Sequence, residues 1–270
     1  MTRPDGGPPS AAEPDQQTRW RELLDVLAVR QRLSVKEGAE LLGVSAATVR
    51  RDFRELAARQ LATRTHGGVV ATSVAYELPA RYRLAGDDPR ERIARAAAAQ
   101  VTPGSVIGFN GGTTTSAVAR HVAQRTDLEE EGGVTTVTNA LNIATELVLR
   151  PYIRTICIGG QARPESYELH GPFASMVLRD LLVERLFLGV DALSAQAGVS
   201  CRHLGEATIN AEMVRAAERV VVVAAGAKVG RRSLARICPV ADVHELITDD
   251  TADPDEVERI RELGVEVTLV

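Results

Sequence analysis

Over its last two-thirds the chain alternates short apolar runs with helical segments. Seven runs have the length and apolar character of buried strands: residues 105–109, 134–137, 153–158, 185–188, 220–224, 245–248 and 265–270. Helical patterns lie between several of them, over residues 113–124, 141–149, 173–182, 208–217 and 255–263. This alternation predicts an α/β domain built on a mostly parallel sheet, in which ligands bind at the carboxyl ends of the strands.

The preceding segment has a different pattern, typical of three helices followed by a hairpin. The first helix has apolar side chains at helical spacing, namely Trp20, Leu23, Leu24 and Leu27. Ser34 and Glu37 have the spacing of a capping box, so a second helix begins there, and Gly43 ends it. Ser45 caps a third helix over residues 46–59. Together with a short hairpin, these helices predict a winged helix-turn-helix.

These patterns divide the 270-residue chain into four segments. We predict a disordered tail at residues 1–15, a winged helix-turn-helix domain at 16–71, a linker at 72–88 and an α/β domain at 89–270. The tail is rich in Pro and Gly and has no recurring apolar residues, which is typical of disorder.

Composition excludes several classes of protein. Hydrophobic residues make up 44% and charged residues 25% of the chain, which excludes collagen-like, coiled-coil and wholly disordered proteins. The longest apolar run has eight residues, far fewer than the roughly 20 needed to span a membrane. Three widely spaced cysteines without a C-x-x-C pair predict reduced thiols and no metal site. We therefore expect a cytoplasmic protein without a membrane segment, metal or cofactor.

Charge is unevenly distributed, and the third helix of the small domain carries the residue types that contact DNA. The net charge is +4 over residues 16–70 and −6 over residues 71–270. After the apolar face of that helix is assigned to the core, the polar groups that remain belong to Ser45, Thr48, Arg50, Arg51 and Arg54. Arginine binds guanine in a bidentate manner, and hydroxyls at a helix start contact phosphate.

Further predicted DNA contacts lie at the start of the second helix and on the hairpin: Ser34, Lys36, Arg64 and His66. The alternative is a solvated helix face on which the arginines pair with nearby acidic residues, namely Glu22, Asp52 and Glu55.

A glycine- and threonine-rich turn follows the first strand of the α/β domain and begins a helix. It reads Asn110-Gly111-Gly112-Thr113-Thr114-Thr115. Glycines let a ligand approach the backbone, and the free N–H groups and hydroxyls of such a turn suit an anion. The turn lacks the spacing of a P-loop, and the alternative is a capped turn without a ligand. Polar residues at other strand ends can converge on the same pocket: Thr138, Asn139, Gly159, Gly160 and Lys228.

Motifs in both domains resemble those of the deoxyribose-operon-repressor (DeoR) family. Residues 41–52 read L-L-G-V-S-A-A-T-V-R-R-D, similar to the family's helix-turn-helix, and residues 64–68 read R-T-H-G-G, similar to its wing. The large domain has G-G-T-T-T, V-T-N, I-G-G, F-L-G-V-D and A-K-x-G in the family's order. The resemblance covers residues 19–249.

The resemblance implies a large domain like ribose-5-phosphate isomerase and a homo-oligomeric regulator of transcription. The implied function is repression of a sugar or carbon metabolism operon, with release from double-stranded operator DNA by a phosphorylated sugar or related metabolite. The implied effector contacts are Gly111, Gly112, Thr113, Thr114, Thr115, Thr138, Asn139, Gly159, Gly160, Asp191 and Lys228.

Three positions depart from the family pattern. Gly38 stands where the family usually has Leu, which costs about 1 kcal/mol of helix propensity and predicts a softer second helix. Asn110 and Ala225 stand where the family commonly has Asp, so the predicted pocket is less acidic.

An enzyme with a fused DNA-binding module is the alternative function. Isomerisation of a sugar phosphate requires a general base and a general acid, for which the nearby candidates are His170, Asp191, His203 and Glu206. The missing carboxylates and the attached DNA module argue against turnover, so we predict no catalytic residue.

Overall fold

The computed structural model describes residues 15–30, 32–58, 62–71 and 88–270. The chain divides into two compact units, Met1–Glu77 and Leu78–Val270. Of the predicted tail and linker, all residues except Asp15 and Asp88 lie outside the described residues.

The first unit contains three helices and a small antiparallel sheet. Its elements are α1 (Gln16–Arg30), β1 (Arg32–Ser34), α2 (Val35–Leu42), α3 (Ala46–Ala58), β2 (Ala62–Thr65) and β3 (Gly68–Ala71). The strands pair in the order β1-β3-β2. Its core consists of Leu23, Leu27, Leu33, Leu42, Val44, Val49, Phe53, Leu56, Ala62 and Val69. The predicted winged helix-turn-helix is confirmed, and β1 is an additional strand.

Local signals set the turn between α2 and α3. The Ser34 side chain accepts a hydrogen bond from the Glu37 backbone N–H, and the Glu37 carboxylate accepts one from the Ser34 backbone N–H. Gly43 ends α2 in the left-handed conformation with φ 64°. Gly38 lies where α2 meets α3, since a Cβ placed there would come 2.9 Å from Val49 Cγ1. The glycine therefore permits close packing of the two helices.

The second unit is built on a seven-stranded parallel sheet. Its helices are α4 (Pro89–Ala99), α5 (Thr113–Val122), α6 (Thr126–Glu130), α7 (Leu141–Leu147), α8 (Pro172–Leu178), α9 (Leu204–Arg215) and α10 (Pro254–Glu262). Its strands are β4 (Val106–Phe109), β5 (Val134–Thr138), β6 (Ile153–Cys157), β7 (Gln161–Ala162), β8 (Leu169–His170), β9 (Val183–Gly189), β10 (Ala192–Ser194), β11 (Gly198–Cys201), β12 (Ala217–Val223), β13 (Ala235–Cys238), β14 (Glu245–Thr248) and β15 (Glu266–Leu269).

The large sheet has the strand order β15-β14-β12-β9-β4-β5-β6, and every neighbouring pair is parallel. These seven strands correspond to the seven predicted runs, so the predicted α/β fold class is confirmed. The smaller pairings, β10-β11-β13 and β7-β8, are antiparallel and were not predicted.

Apolar residues alternate between the two faces of this sheet. Val220 and Val222 of β12 pack in one core cluster with residues of α8, α9 and α10, whereas Val221 and Val223 pack in the other cluster with residues of α4, α5 and α7. Both faces are therefore covered by helices, which explains why the strands read as continuous apolar runs.

The strand order reverses between β4 and β9. From β4 the chain adds β5 and then β6 on one side, after which β9, β12, β14 and β15 extend the sheet on the other side. A crevice opens at such a switch point, beyond the carboxyl ends of the two central strands.

Candidate functional site

A cleft of about 290 Å³ lies at this switch point, at the carboxyl ends of β4 and β9. It is lined by Asn110, Gly111, Gly112, Thr113, Thr114, Arg163, Glu165, Ser166, Glu168, Gly189, Val190, Asp191, Cys201, Arg202, Glu206, Asn210 and Lys228. Six of the sequence-predicted effector residues line this cleft: Gly111, Gly112, Thr113, Thr114, Asp191 and Lys228. Thr115 does not line it.

The glycine-threonine turn leads directly from β4 into α5. Gly112 has φ 122°, a conformation that favours glycine, and its carbonyl accepts hydrogen bonds from the hydroxyls of Thr115 and Ser116 at 3.1 and 2.7 Å. Those two hydroxyls therefore hold the turn and do not face the cleft. The first N–H groups of α5 have no partner within the helix and suit an anion there.

Asn110 joins the ends of the two central strands. Its Nδ2 donates to the Gly189 carbonyl at 2.9 Å, and its Oδ1 accepts from the Gly189 N–H at 2.7 Å. An ionised aspartate, which has no donor, would not make the first of these bonds. The departure from the family pattern at this position thus has a structural role.

Arg90 connects the start of α4 to the turn. Its Nη1 donates to Thr113 Oγ1 at 3.3 Å, and its Nε donates to Asp88 Oδ1 at 2.8 Å. Asp88 is also the N-cap of α4 and accepts from the Arg90 backbone N–H. Asp88, the last residue of the predicted linker, is therefore connected to the cleft through the single side chain of Arg90.

Lys228 is a basic side chain that also lines the cleft. Its Nζ donates to the Val190 carbonyl at 2.5 Å, and burial lowers the pKa of this lysine despite the favourable field of Asp191. The turn that carries it is held from β14, since Asp249 Oδ2 accepts from the Gly226 N–H at 2.7 Å. The Ala225 departure lies beside this anchored turn.

A second polar group of the cleft includes Glu168 and Glu206. Glu168 Oε2 accepts from the side-chain amides of Asn139 and Asn210 at 3.1 and 3.3 Å. Burial is the main cause that raises the pKa of Glu168 to about 8, and repulsion by Glu206 adds to it. Glu206 itself is paired with Arg163 at 2.8 Å.

Six residues in or beside the cleft are absent from the predicted effector contacts: Arg90, Arg163, Glu168, Arg202, Glu206 and Asn210. Glu206 was weighed only as a catalytic candidate. One signal was present, because Glu206 and Asn210 have the i, i+4 spacing that places two polar side chains on one face of α9. The sequence has no such signal for Glu168. The backbone before it turns at Tyr167 with a positive φ of 62°, a conformation that a tyrosine in the sequence does not predict.

The remaining predicted effector residues do not line the cleft. Thr138 Oγ1 accepts from the Ala140 N–H at 3.0 Å, and Asn139 reaches the cleft only through its bond to Glu168. Gly159 and Gly160 follow β6, two strands from β4. A Cβ at Gly160 would come 2.6 Å from the His170 carbonyl oxygen, so this glycine serves close packing.

Of the four candidate catalytic acids and bases, only two line the cleft. Asp191 and Glu206 line the cleft, whereas His170 and His203 lie against each other with ring centroids 5.4 Å apart and do not line it. His203 Nδ1 accepts from the Glu206 N–H and so caps α9.

In the first unit, the predicted DNA-contacting residues lie on α3 and the hairpin. Arg50, Arg51, Arg54, Arg64 and His66 are all exposed. Arg51 pairs with Glu55 at 3.2 Å. At the start of α3, the hydroxyls of Ser45 and Thr48 lie 2.9 Å apart. At the start of α2, Ser34 is the N-cap and Lys36 is exposed.

Asp52 differs from its neighbours because it is buried at 1% exposure. Its carboxylate accepts hydrogen bonds from Arg19 Nε at 2.8 Å and Trp20 Nε1 at 3.1 Å. This residue therefore joins α1 to α3 and is not available to pair with the arginines of the exposed face.

Other kinds of site are not seen in the described part of the chain. There, no group of three or more His, Cys, Asp or Glu side chains is arranged to hold a metal ion. The three cysteines are free, and burial raises the pKa of both Cys201 and Cys238 to about 12. None of the described helices is long and apolar enough to cross a membrane.

Both units match known protein families. Residues 19–74 match the DeoR-like helix-turn-helix domain, and residues 87–250 match the DeoR C terminal sensor domain. The HTH-type transcriptional regulator GlpR of Haloferax volcanii is 34% identical, over 92% of this chain and 96% of its own length. The glycerol-3-phosphate regulon repressor of Escherichia coli K12 is 27% identical, over 87% of this chain and 91% of its own. Among solved structures, ribose 5-phosphate isomerase A of Methanocaldococcus jannaschii aligns with a TM-score of 0.39 and 18% identity, over 54% of this chain and 55% of its own.

Proposed function

This chain belongs to the DeoR family of transcriptional regulators, and from that membership we propose that a phosphorylated, sugar-like metabolite releases it from the operator of a sugar or carbon metabolism operon. It is a DNA-binding transcriptional repressor with a sensor domain for a small molecule, and it is not an enzyme.

The observation that supports a phosphorylated effector is the cradle, by which we mean the turn of residues 111–114 at the end of β4 together with Lys228 and Arg90. Gly111 and Gly112 let a ligand approach the backbone, and the free N–H groups at the start of α5 face it. Arg90 donates a hydrogen bond to Thr113 of this turn, and Lys228 lines the same cleft, so two basic side chains are available to an anion. A phosphate group is the ligand that suits such a combination of helix N-terminus and fixed cations.

On the DNA side, the exposed arginines of α3 are proposed to enter the major groove. Arg50, Arg51 and Arg54 read base edges or phosphates, and Ser45 and Thr48 contact phosphate at the start of the helix. Arg64 and His66 on the wing reach the DNA backbone or the minor groove. Ser34 and Lys36 contact phosphate at the start of α2. We further propose that the second unit oligomerises, so that two or more first units grip operator half-sites.

The first experiment is a thermal-shift screen of the purified chain against sugar phosphates, unphosphorylated sugars and acyl-CoA compounds. A ligand that binds only the native state raises the unfolding midpoint. We expect a rise that requires the phosphate group. A rise with an acyl-CoA or an unphosphorylated sugar alone contradicts the proposed effector class.

Substitution of both cradle groups tests the site itself. Thr113→Ala combined with Lys228→Ala is expected to abolish effector-dependent release while leaving operator binding unchanged, because neither side chain lies in the first unit. Gel-shift titrations with and without the effector measure both properties. Lys36→Ala, at the other lysine of the chain, is the matched control. It is expected to weaken operator binding and to leave effector-dependent release unchanged. A double variant that still releases DNA normally contradicts the proposed cradle.

A further inference from the structure

Beside the cradle, the cleft has a second polar end formed by Glu168 and Asn210. Both residues line the cleft, with exposures of 5% and 2%. The carboxyl of Glu168 lies directly against the cradle, because a Cβ placed at Gly111 would come 2.7 Å from Oε1. A glycine is therefore required where the two ends meet, and one small ligand can contact both of them.

Hydrogen bonding at this second end is incomplete. The amides of Asn139 and Asn210 both donate to Oε2 of Glu168, so Oε1 is the oxygen that faces Gly111. Within the part of the chain that the structure describes, Asn210 Oδ1 is buried without a hydrogen-bond partner. Leaving a buried acceptor without a donor is costly, and a bound ligand that supplies the donor removes that cost.

Burial and the neighbouring acidic groups together keep a proton on Glu168. Glu206 on α9 and Asp191 after β9 face it as like charges, while Arg163 is held by Glu206 at 2.8 Å and Glu165 at 3.1 Å. Burial first and these acidic groups second raise the pKa of Glu168 to about 8, although the two amide bonds oppose the rise. At neutral pH the side chain is therefore a carboxylic acid, which has one O–H donor.

Building on the proposed function, we infer that Glu168 and Asn210 determine effector specificity by binding a hydroxyl group next to the ligand's phosphate. The acid O–H of Glu168 donates to the hydroxyl oxygen, and the hydroxyl hydrogen is donated to Asn210 Oδ1. A hydroxyl group can do both, whereas a deoxy position does neither. The ligand class is a phosphorylated polyhydroxy compound.

Isothermal titration tests this assignment with defined probes. The probes are inorganic phosphate, ribose 5-phosphate, 2-deoxyribose 5-phosphate, glucose 6-phosphate, fructose 6-phosphate and glycerol 3-phosphate. The proteins are the wild type, Glu168→Gln and Glu168→Met, with Glu258→Gln as the control at an exposed carboxylate of α10 that does not line the cleft. Binding of inorganic phosphate, which uses only the cradle, shows that each variant retains a folded site.

For the polyhydroxy phosphate that binds the wild type, Glu168→Met is expected to weaken binding by about tenfold or more, with inorganic phosphate unchanged. Glu168→Gln keeps a donor and is expected to bind like the wild type at neutral pH. Between about pH 7 and about pH 9.5, wild-type affinity should fall about tenfold or more relative to that of Glu168→Gln, because only the wild type loses the acid proton. Any loss of charge at Lys228 weakens both proteins alike. Glu258→Gln should follow the wild type at both pH values.

The outcomes separate this inference from the proposed function. If none of the probes binds the wild type, the phosphorylated effector is itself contradicted, and the inference falls with it. If a sugar phosphate binds all variants with wild-type affinity at both pH values, the hydroxyl-binding role is overturned and the proposed function stands. A tenfold or greater loss with Glu168→Gln at neutral pH also overturns it, because the residue would then act as a carboxylate.

Discussion

Glu168 shows how a single buried carboxyl couples this protein to pH. Below its ordinary pKa of 4.5 both the native and the unfolded chain carry the proton. Between 4.5 and about 8 only the native state keeps it, so the native state loses relative stability as pH rises. Above about pH 8 both states have lost the proton, and the dependence on this group ends.

We predict that Glu168→Gln removes this loss of stability. The free energy of unfolding of the wild type relative to the variant should fall from pH 5 to pH 9, by roughly 5 kcal/mol at most at 1.36 kcal/mol for each pKa unit. Urea denaturation followed by circular dichroism at several pH values measures the difference. Glu165→Gln is the control, because its carboxylate is exposed. A constant difference between wild type and Glu168→Gln across this range would contradict the prediction.

At the scale of single residues, sequence predicted the cradle better than the side chains opposite it. The turn at Gly111 and Gly112 is visible because glycine and threonine cluster at a strand end. Glu168 and Arg163 come from a segment of β7, β8 and their connection that has little regular pattern. Their position depends on tertiary packing, which leaves no local periodicity to detect.

Among the elements, the contact of α2 with α3 constrains Gly38. In an exposed helix, replacing glycine by alanine gains about 1 kcal/mol, but here the new Cβ would meet the buried Val49 side chain at 2.9 Å. Close packing of α2 against α3 thus offsets the loss of helix propensity at Gly38, from which a softer second helix is predicted. The leucine that the family usually has at this position does not fit this pair of helices.

We predict that Gly38→Leu destabilises the first unit by roughly 1–3 kcal/mol, the usual cost of overpacking a core. Trp20 is the single tryptophan of the chain, so its fluorescence during thermal unfolding reports on this unit. Adding Val49→Ala should restore part of the loss, since it removes the opposing methyl groups. Ala47→Leu, at an exposed position of α3, is the control and should have little effect. Unchanged stability of Gly38→Leu would show that the helices separate without cost.

The exposed face of α3 makes a separate prediction about DNA. Arg50→Ala or Arg51→Ala should cost roughly 1–3 kcal/mol of operator affinity if the residue reads a base, with relaxed specificity at that position. A phosphate contact would instead weaken all duplexes alike and reduce the salt slope by about one. Gel shifts at several salt concentrations, on a duplex selected from a random library, distinguish the two. Arg261→Ala, on α10 of the other unit, is the control. Unchanged binding for both α3 variants at low salt would refute the recognition-helix assignment.

Elements with strong periodicity could be predicted from sequence, and weakly patterned ones could not. All seven strands of the large sheet coincide with apolar runs because both faces of the sheet are buried. The strands β1, β10, β11 and β13 have three or four residues each and form only through antiparallel tertiary pairing. Such short segments carry too few residues for an alternation to be recognised.

In the α/β unit, strand order explains which predicted residues reach the cleft. Polar strand ends at β4, β5 and β6 were expected to converge, but only those beside the switch point between β4 and β9 line the cleft. Gly159 and Gly160 follow the edge strand β6 and cannot reach it. A list of strands does not contain their order, so sequence alone could not separate these ends.

We expect the coupling between effector binding and DNA binding to begin at Arg90. This arginine contacts Thr113 of the cradle and Asp88, the N-cap of α4. Asp88 is continuous with residues 72–87, which connect it to the DNA-binding unit. A phosphate at the cradle attracts the Arg90 guanidinium and competes with Asp88 for it. Effector binding can change DNA affinity only through a contact that differs between the two states, and we predict that this triad is such a contact.

We therefore predict that Arg90→Gln uncouples effector binding from DNA release. In the wild type, saturating effector should weaken operator binding by a factor of about 5 to 150, the usual range of allosteric coupling. In Arg90→Gln this factor should approach one, while operator affinity without effector stays unchanged. Because coupling is reciprocal, operator DNA should also cease to weaken effector binding in the variant. Titrations of operator with and without effector measure the first effect, and calorimetry with and without operator measures the second. Arg92→Gln is the control and should keep the wild-type factor. Arg92 is an exposed arginine of the same helix, α4, and pairs with Asp250, which follows β14. If Arg90→Gln keeps that factor as well, the signal leaves the cradle by another route.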